Sequence, residues 1–364
     1  MRAAVIFVVA AVAACSSPGH PGTPGDGMPD PGTGPGSGPG LGSGDPGDPG
    51  DPGMPPPVAN GDPFAALLAQ PATCSGDHWC WRTPTPSGND YAHVFSTAPN
   101  NIWLIGAHGT VLQWDGAVWH AHHPPQQAGL PPGQYAYAIA GLGPSDMWLL
   151  TGATVQHWDG TAWTILDSLP PNGIHGFDNI WEASNGDVWV TRNDGMVDRS
   201  IGGKPFQSID TGCNCFIGAI WGLAADDFWM STLPGGIMHS NGHMFTPSYS
   251  GSTPIGSFTG VAPNDLWISG SDGAILHWDG TAWTPVPSGL AGGFTGAVAA
   301  VASNDVWWWY ASDSSASSAF VHWDGTALSS TPVDTSSLGV FIYSGAIIDG
   351  RWWLVGGSGA VYTK

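Results

Sequence analysis

Tryptophan, histidine, cysteine and a single glutamate are the residues of this chain whose types and spacing could do chemistry. Most of the 21 tryptophans recur at fixed intervals, as packing residues do. Trp308 and Trp352 break that rhythm, because each adjoins a recurring tryptophan, Trp307 or Trp353. Alternation along a strand would turn them to the opposite side. The sequence therefore offers two readings of them, simple extra packing or an exposed aromatic pair able to stack on a sugar ring or anchor a protein partner. Glu182 is the sole glutamate and follows Trp181, in a run read below as an inner strand. It is a candidate channel-facing carboxylate, the alternative being a solvated or hydrogen-bonded strand residue. His120, His122 and His123 form the one dense histidine cluster, and His120 and His122 would share a strand face. They are weak candidates for a transition metal, and with no nearby Cys or Glu to complete the set no dedicated metal site is expected. Four cysteines, Cys74, Cys80, Cys213 and Cys215, form an even set that suggests disulfides in three connectivities. Local pairing of Cys74 with Cys80 would pin an N-terminal strand. Cys213 and Cys215 bridge each other or pair elsewhere.

Other chemistry is excluded by what the sequence lacks. It has no Gly-x-Ser-x-Gly elbow, no His-Glu-x-x-His and no Gly-Lys-Ser/Thr phosphate loop. The formal net charge of -21 denies it the basic footprint that nucleic acid requires. The same balance excludes electrostatic docking on an anionic membrane. No cofactor is expected. The aspartates before Met147, Val188, Phe228, Leu266 and Val306 recur in register, and Asn101 replaces them once. That interchange reads as turn chemistry.

Residues 1–14 read as an export signal: Arg2, then the apolar run Ala3 to Ala14, too short to span a bilayer. Val12-Ala13-Ala14-Cys15 resembles the lipobox of bacterial lipoproteins. That resemblance implies lipidation of Cys15 and, with Ser16 rather than Asp behind it, an outer-membrane or cell-surface address. The rest of 15–73 is dominated by Pro, Gly and Asp up to Pro63. Such a segment buries too little apolar surface to fold and serves as an extended linker.

From 74 to 364 the chain repeats itself about every 40 residues. Trp103, Trp148, Trp189, Trp229, Trp267, Trp307 and Trp353 mark seven units. Trp-Asp-Gly follows at 114–116, 158–160, 278–280 and 323–325. Each unit divides into four short β-branched or aromatic runs with Gly, Asn, Asp and Pro between them, the pattern of a β-propeller blade. The fold class is thus all-β: a seven-bladed β-propeller with four-stranded blades. The last unit stops after three strands, and Trp81-Arg82-Thr83-Pro84 matches the missing outer one, so residues 79–86 are expected to close the ring.

The repeat resembles those of surface lipoproteins with the pattern "NDVW…HWDG…W". More distantly it is similar to Asp-box and photosystem II assembly factor-type propellers, best at Gly270 to Trp283. The resemblance implies the fold, and those families share no single activity. The favoured reading is a lipid-anchored, monomeric, non-catalytic binding module for glycans, peptides or envelope proteins, touching membrane only through its anchor. An envelope assembly scaffold and a propeller glycosidase or lyase are the alternatives.

Overall fold

In a computed structural model, the structure describes residues 73–74, 80–81, 89–129, 134–169, 176–312, 318–333 and 342–363. The export signal, Cys15 and the linker up to residue 72 lie outside the described residues, as do the side chains of Cys74 and Cys80.

The described chain is a seven-bladed β-propeller of antiparallel sheets. Blade 1 comprises Tyr91–Ala98, Asn101–Gly106, Val111–Trp114 and Trp119–His122. Blades 2 to 6 repeat the order, with inner strands Ala136–Gly143, Phe177–Glu182, Ile217–Ala224, Ile255–Ala262 and Phe294–Ala302. In blade 7, Ile342–Ile348, Arg351–Gly356 and Val361–Thr363 are joined by Cys80–Trp81 as the fourth strand. Cys80 pairs with Thr363 and Trp81 with Tyr362, which closes the ring through the N-terminal strand. A fifth strand, Thr73–Cys74, then pairs with Cys80–Trp81, an addition the repeat did not predict. The inner strand of blade 7 lies against that of blade 1 and completes the circle.

The apolar core is divided among the interfaces between blades. Phe95, Trp103 and Ile105 of blade 1 meet Ala136, Met147 and Leu149 of blade 2, and equivalent clusters recur around the ring. Both faces of each blade are therefore covered. This corrects the expected exposed pair. Trp308 is fully buried against Trp267 of blade 5, with ring centroids 5.4 Å apart. Trp307 turns the other way, 5.7 Å from Trp352 of blade 7, and Phe320 lies 4.5 Å from Trp352 on the same interface. Alternation holds, but in a propeller the opposite face is the neighbouring blade and not solvent.

The hairpins follow local chemistry. Asp115, Asp159, Asp279 and Asp324 each accept two backbone N–H bonds from the turn they open. A side-chain bond first, from His120, Thr161, Thr281 or Thr326 respectively, and then those backbone bonds hold their carboxyls down to about 2. Gly280 sits at φ +93, and a Cβ there would lie 2.8 Å from that of Asn264 in the adjoining hairpin. Only glycine meets both demands.

Candidate functional site

A buried stack recurs at the hairpin end of six blades. An acid or amide opens the second strand, a tryptophan follows two residues later, and a polar residue from the third strand lies over that ring. In blade 5 both the Trp267 indole and His277 bond to Asp265, and the imidazole stacks on the indole at 4.2 Å. In blades 2, 4 and 6, His157, His239 and His322 bond the equivalent aspartate and lie over the tryptophan ring, and in blade 6 the Trp307 indole bonds Asp305 as well. Blade 1 uses Asn101 and Gln113. Blade 3 uses Arg199, whose guanidinium lies 4.5 Å from the Trp189 ring centroid and bonds Asp187 at 2.7 Å. Blades 3 and 4 lack Trp-Asp-Gly, so their places in this scheme escaped the sequence pattern.

The histidine cluster does not converge. His120 bonds Asp115 at 2.7 Å, His122 bonds Gln113 at 3.1 Å and packs 4.6 Å from Trp158, and His123 is exposed. No group of three metal-binding side chains occurs among the described residues. Cys213 and Cys215 are joined in a disulfide across a single intervening residue.

Glu182 departs from its expected position. It is wedged between blades 2 and 3, 2% exposed, with Oε2 lacking a hydrogen bond. Burial first, and then the adjacent Asp146 carboxylate, pushes its carboxyl up to about 8. The cause is local. In blades 1, 2, 4, 5 and 6 the inner strand bulges just before its hairpin, whereas in blade 3 Glu182 pairs directly with Val188.

The inner strands build a different site at their other ends. In blades 1, 2, 3, 5 and 7 the register slips by one residue after the first pair, so that the ladder skips Ala92, Tyr137, Asp178, Gly256 and Tyr343. A bulge of this kind re-aims its side chain. Here the bulged residues gather around one mouth of the central channel. Tyr135 and Tyr137 lie with ring centroids 5.2 Å apart. Burial, with Asp90 of blade 1 and Tyr343 of blade 7 alongside, raises the Tyr135 phenol above its ordinary value. Asp178 projects to the equivalent place in blade 4, where its Oδ2 would lie 3.6 Å from a Cβ on Gly218. Burial alone pushes the Asp178 carboxyl up to about 7, and no described residue donates a hydrogen bond to it. Tyr343 is 41% exposed, and Asp178, Tyr135 and Tyr137 are half-buried.

The opposite mouth has different chemistry. The bulged residues there are the half-buried Thr97 and the aliphatic Leu142, Leu223, Val261 and Val301, the last four 36–43% exposed. A cleft of about 480 Å³ also opens at the rim between blades 4 and 5, lined by Tyr249, Ile275, Val286 and Leu290 among others and by no charged side chain. Sequence reading missed the aromatic–acidic mouth because it sought exceptions among tryptophans. The available signal was one aligned inner-strand position that reads Ala, Tyr, Asp, Gly, Gly, Gly and Tyr around the ring.

No protein-family model matches the chain, and no curated protein matches it. Solved structures do. A structure of YCF48 bound to D1 peptide is 16% identical with a TM-score of 0.62, covering 80% of this chain and 98% of that one. YCF48 from Cyanidioschyzon merolae is 17% identical with a TM-score of 0.58, over 78% and 98%. A catalytically inactive virginiamycin B lyase from Staphylococcus aureus with quinupristin is 11% identical with a TM-score of 0.64, over 80% and 97%. At these identities the likeness is one of fold, shared by a protein seen with a peptide and by an enzyme, and the chain is a β-propeller whose chemistry must be read from its own residues.

Proposed function

We propose that this chain is a non-catalytic binding module of the cell envelope, tethered through Cys15 and its Gly/Pro-rich linker, that takes peptide segments of a protein partner at the aromatic–acidic mouth. The observation that carries this reading is the placement of Tyr135, Tyr137, Tyr343 and Asp178 at the same end of the inner strands, half-buried or exposed and not in the buried core. Amphipathic tyrosines supply large contact area at low entropic cost, which suits protein recognition. The resemblance in fold to YCF48 with its peptide supports the same reading. The anchor and the outer-membrane address rest on the lipobox-like residues alone.

The geometry weighs against a two-carboxylate glycosidase. Asp178 and Glu182, the two carboxyls pushed furthest up, stand four residues apart on one strand. That spacing is about 13 Å, beyond the roughly 5–9.5 Å such pairs require. Glu182 and Asp146 are adjacent, but Glu182 is too deeply buried to meet a sugar. The test is a peptide array and a glycan array probed with the chain lacking residues 1–14. Peptide signals that fall at least tenfold in a Tyr137→Ala, Tyr343→Ala variant of unchanged melting temperature are expected. Glycan binding alone, or peptide binding indifferent to both tyrosines, would contradict the reading.

A further inference from the structure

The hairpins that join first strand to second and third strand to fourth all open at one end of the ring, around the aliphatic mouth. Of the nine large apolar side chains that stand exposed among the described residues, six lie at this end. Leu142, Leu223, Val261 and Val301 occupy inner-strand bulges, and Ile201 and Met244 the outer hairpins of blades 3 and 4. None of the six belongs to an apolar cluster between blades. Their exposure follows from the residue before them. Gly222 and Gly260 precede the bulges of blades 4 and 5, and a Cβ there would lie 2.3 Å from Phe228 and 2.5 Å from Leu266. The second strand already fills that inward space, so the extra residue projects from the blade.

Single exposed aliphatics are ordinary, whereas a contiguous set marks an interaction surface. Leu223, Val261 and Val301 fill one position on the inner strands of three consecutive blades, 4, 5 and 6, and those strands pack against one another in turn. The blades close up beside the bulges, where a Cβ on Gly260 would lie 3.0 Å from the Trp221 ring of blade 4. Around this arc stand Asp226, Asp227, Asp265, Asp279, Asp305 and Asp324, all half-buried or exposed. Asp227, Asp265 and Asp305 bond imidazoles of their own blades. From residue 205 to residue 350 the sequence contains no lysine or arginine. Arg199 is already paired with Asp187, which leaves Lys204 of blade 3 and Arg351 of blade 7 beyond the two ends of the arc.

We infer that the aliphatic mouth is a docking surface for a protein partner whose apolar tip is flanked by lysine or arginine. The tip covers Leu223, Val261 and Val301, and the flanking cations face the acidic rim. Charge selects this occupant. A second copy of the chain would bring acid against acid, and an anionic bilayer would be repelled in the same way. Burial of the aliphatic arc supplies affinity, while the rim steers and orients the partner. The surface lies at the opposite end of the channel from the aromatic–acidic mouth and is independent of it.

Fluorescence anisotropy on the chain lacking residues 1–14 tests this with a labelled, acetylated and amidated peptide of leucines between lysine pairs. One control peptide replaces the lysines by glutamates, and the other replaces the leucines by serines. Phosphatidylcholine vesicles, with and without phosphatidylglycerol, and sedimentation velocity of the chain alone probe the other occupants. The leucine–lysine peptide should bind about tenfold more tightly than either control, and raised salt should weaken it. Leu223→Ser, Val261→Ser and Val301→Ser combined should reduce that affinity about tenfold with the melting curve unchanged. Asp226→Asn, at an exposed hairpin position, should weaken binding and lessen its salt dependence. Tyr137→Ala with Tyr343→Ala should leave it unaltered. Equal binding of either control, or loss confined to the tyrosine variant, would overturn the inference, as would failure of the leucine–lysine peptide to bind. Vesicle binding or self-association abolished by the three serines would overturn the choice of a basic protein partner.

Discussion

Glu182 and Asp178 show how position within one strand decides what a carboxyl does. Both are pushed upward by burial, Glu182 to about 8 and Asp178 to about 7, yet one lies between blades and the other at a channel mouth. For Glu182 the consequence is stability. Its folded value exceeds its ordinary 4.5, so the stability it contributes is fully present below about 4.5 and is lost as pH climbs through about 8. Glu182→Gln should therefore flatten the fall in stability between about pH 4.5 and 8, a difference on the order of a few kcal/mol at the upper end. An identical pH profile in the variant would show that this carboxyl is not buried as described. The sequence marked Glu182 as the sole glutamate but did not reveal where it points. That depends on blade 3 lacking the bulge present in its neighbours, and bulges leave no spacing signal. Asp178 was hidden for the same reason. Trp308 was misread because alternation identifies a face without identifying what covers it.

At the scale of the strands, the repeat was legible where turn and packing chemistry coincide. The Asp-Gly hairpins, the second-strand tryptophans and the outer strand borrowed for blade 7 all follow from residue types at fixed intervals. The stack of acid, ring and donor was only partly legible, since Arg199 and His239 fill the histidine slot without the Trp-Asp-Gly landmark. The stacks differ in burial, and their energetics should differ accordingly. Asp187 is 4% exposed, so removing Arg199 strands a buried charge, whereas His277 sits beside a more accessible Asp265. Arg199→Leu should cost about 3 kcal/mol. His277→Leu should cost about 1 kcal/mol by denaturant titration, the scale of an ordinary hydrogen bond. The reverse order would remove the claim that blade 3 depends on a buried ion pair.

Over the whole molecule, the two ends of the channel carry different chemistry on one scaffold. The inner strands bulge at both ends, placing tyrosines and carboxyls at one mouth and exposed Leu142, Leu223, Val261 and Val301 at the other. Many of the acids that excluded nucleic acid sit in turns and stacks, whereas Asp178 lies in neither. The central claim is that a partner is met at the aromatic–acidic mouth. Hydrogen exchange measured with and without an array-selected peptide whose binding needs Tyr137 and Tyr343 tests it most directly. Slowed exchange at 134–138 and 176–180 with the hairpins at 142–146 and 223–227 unchanged is the predicted footprint. Slowing confined to those hairpins, beside the aliphatic mouth, would contradict it.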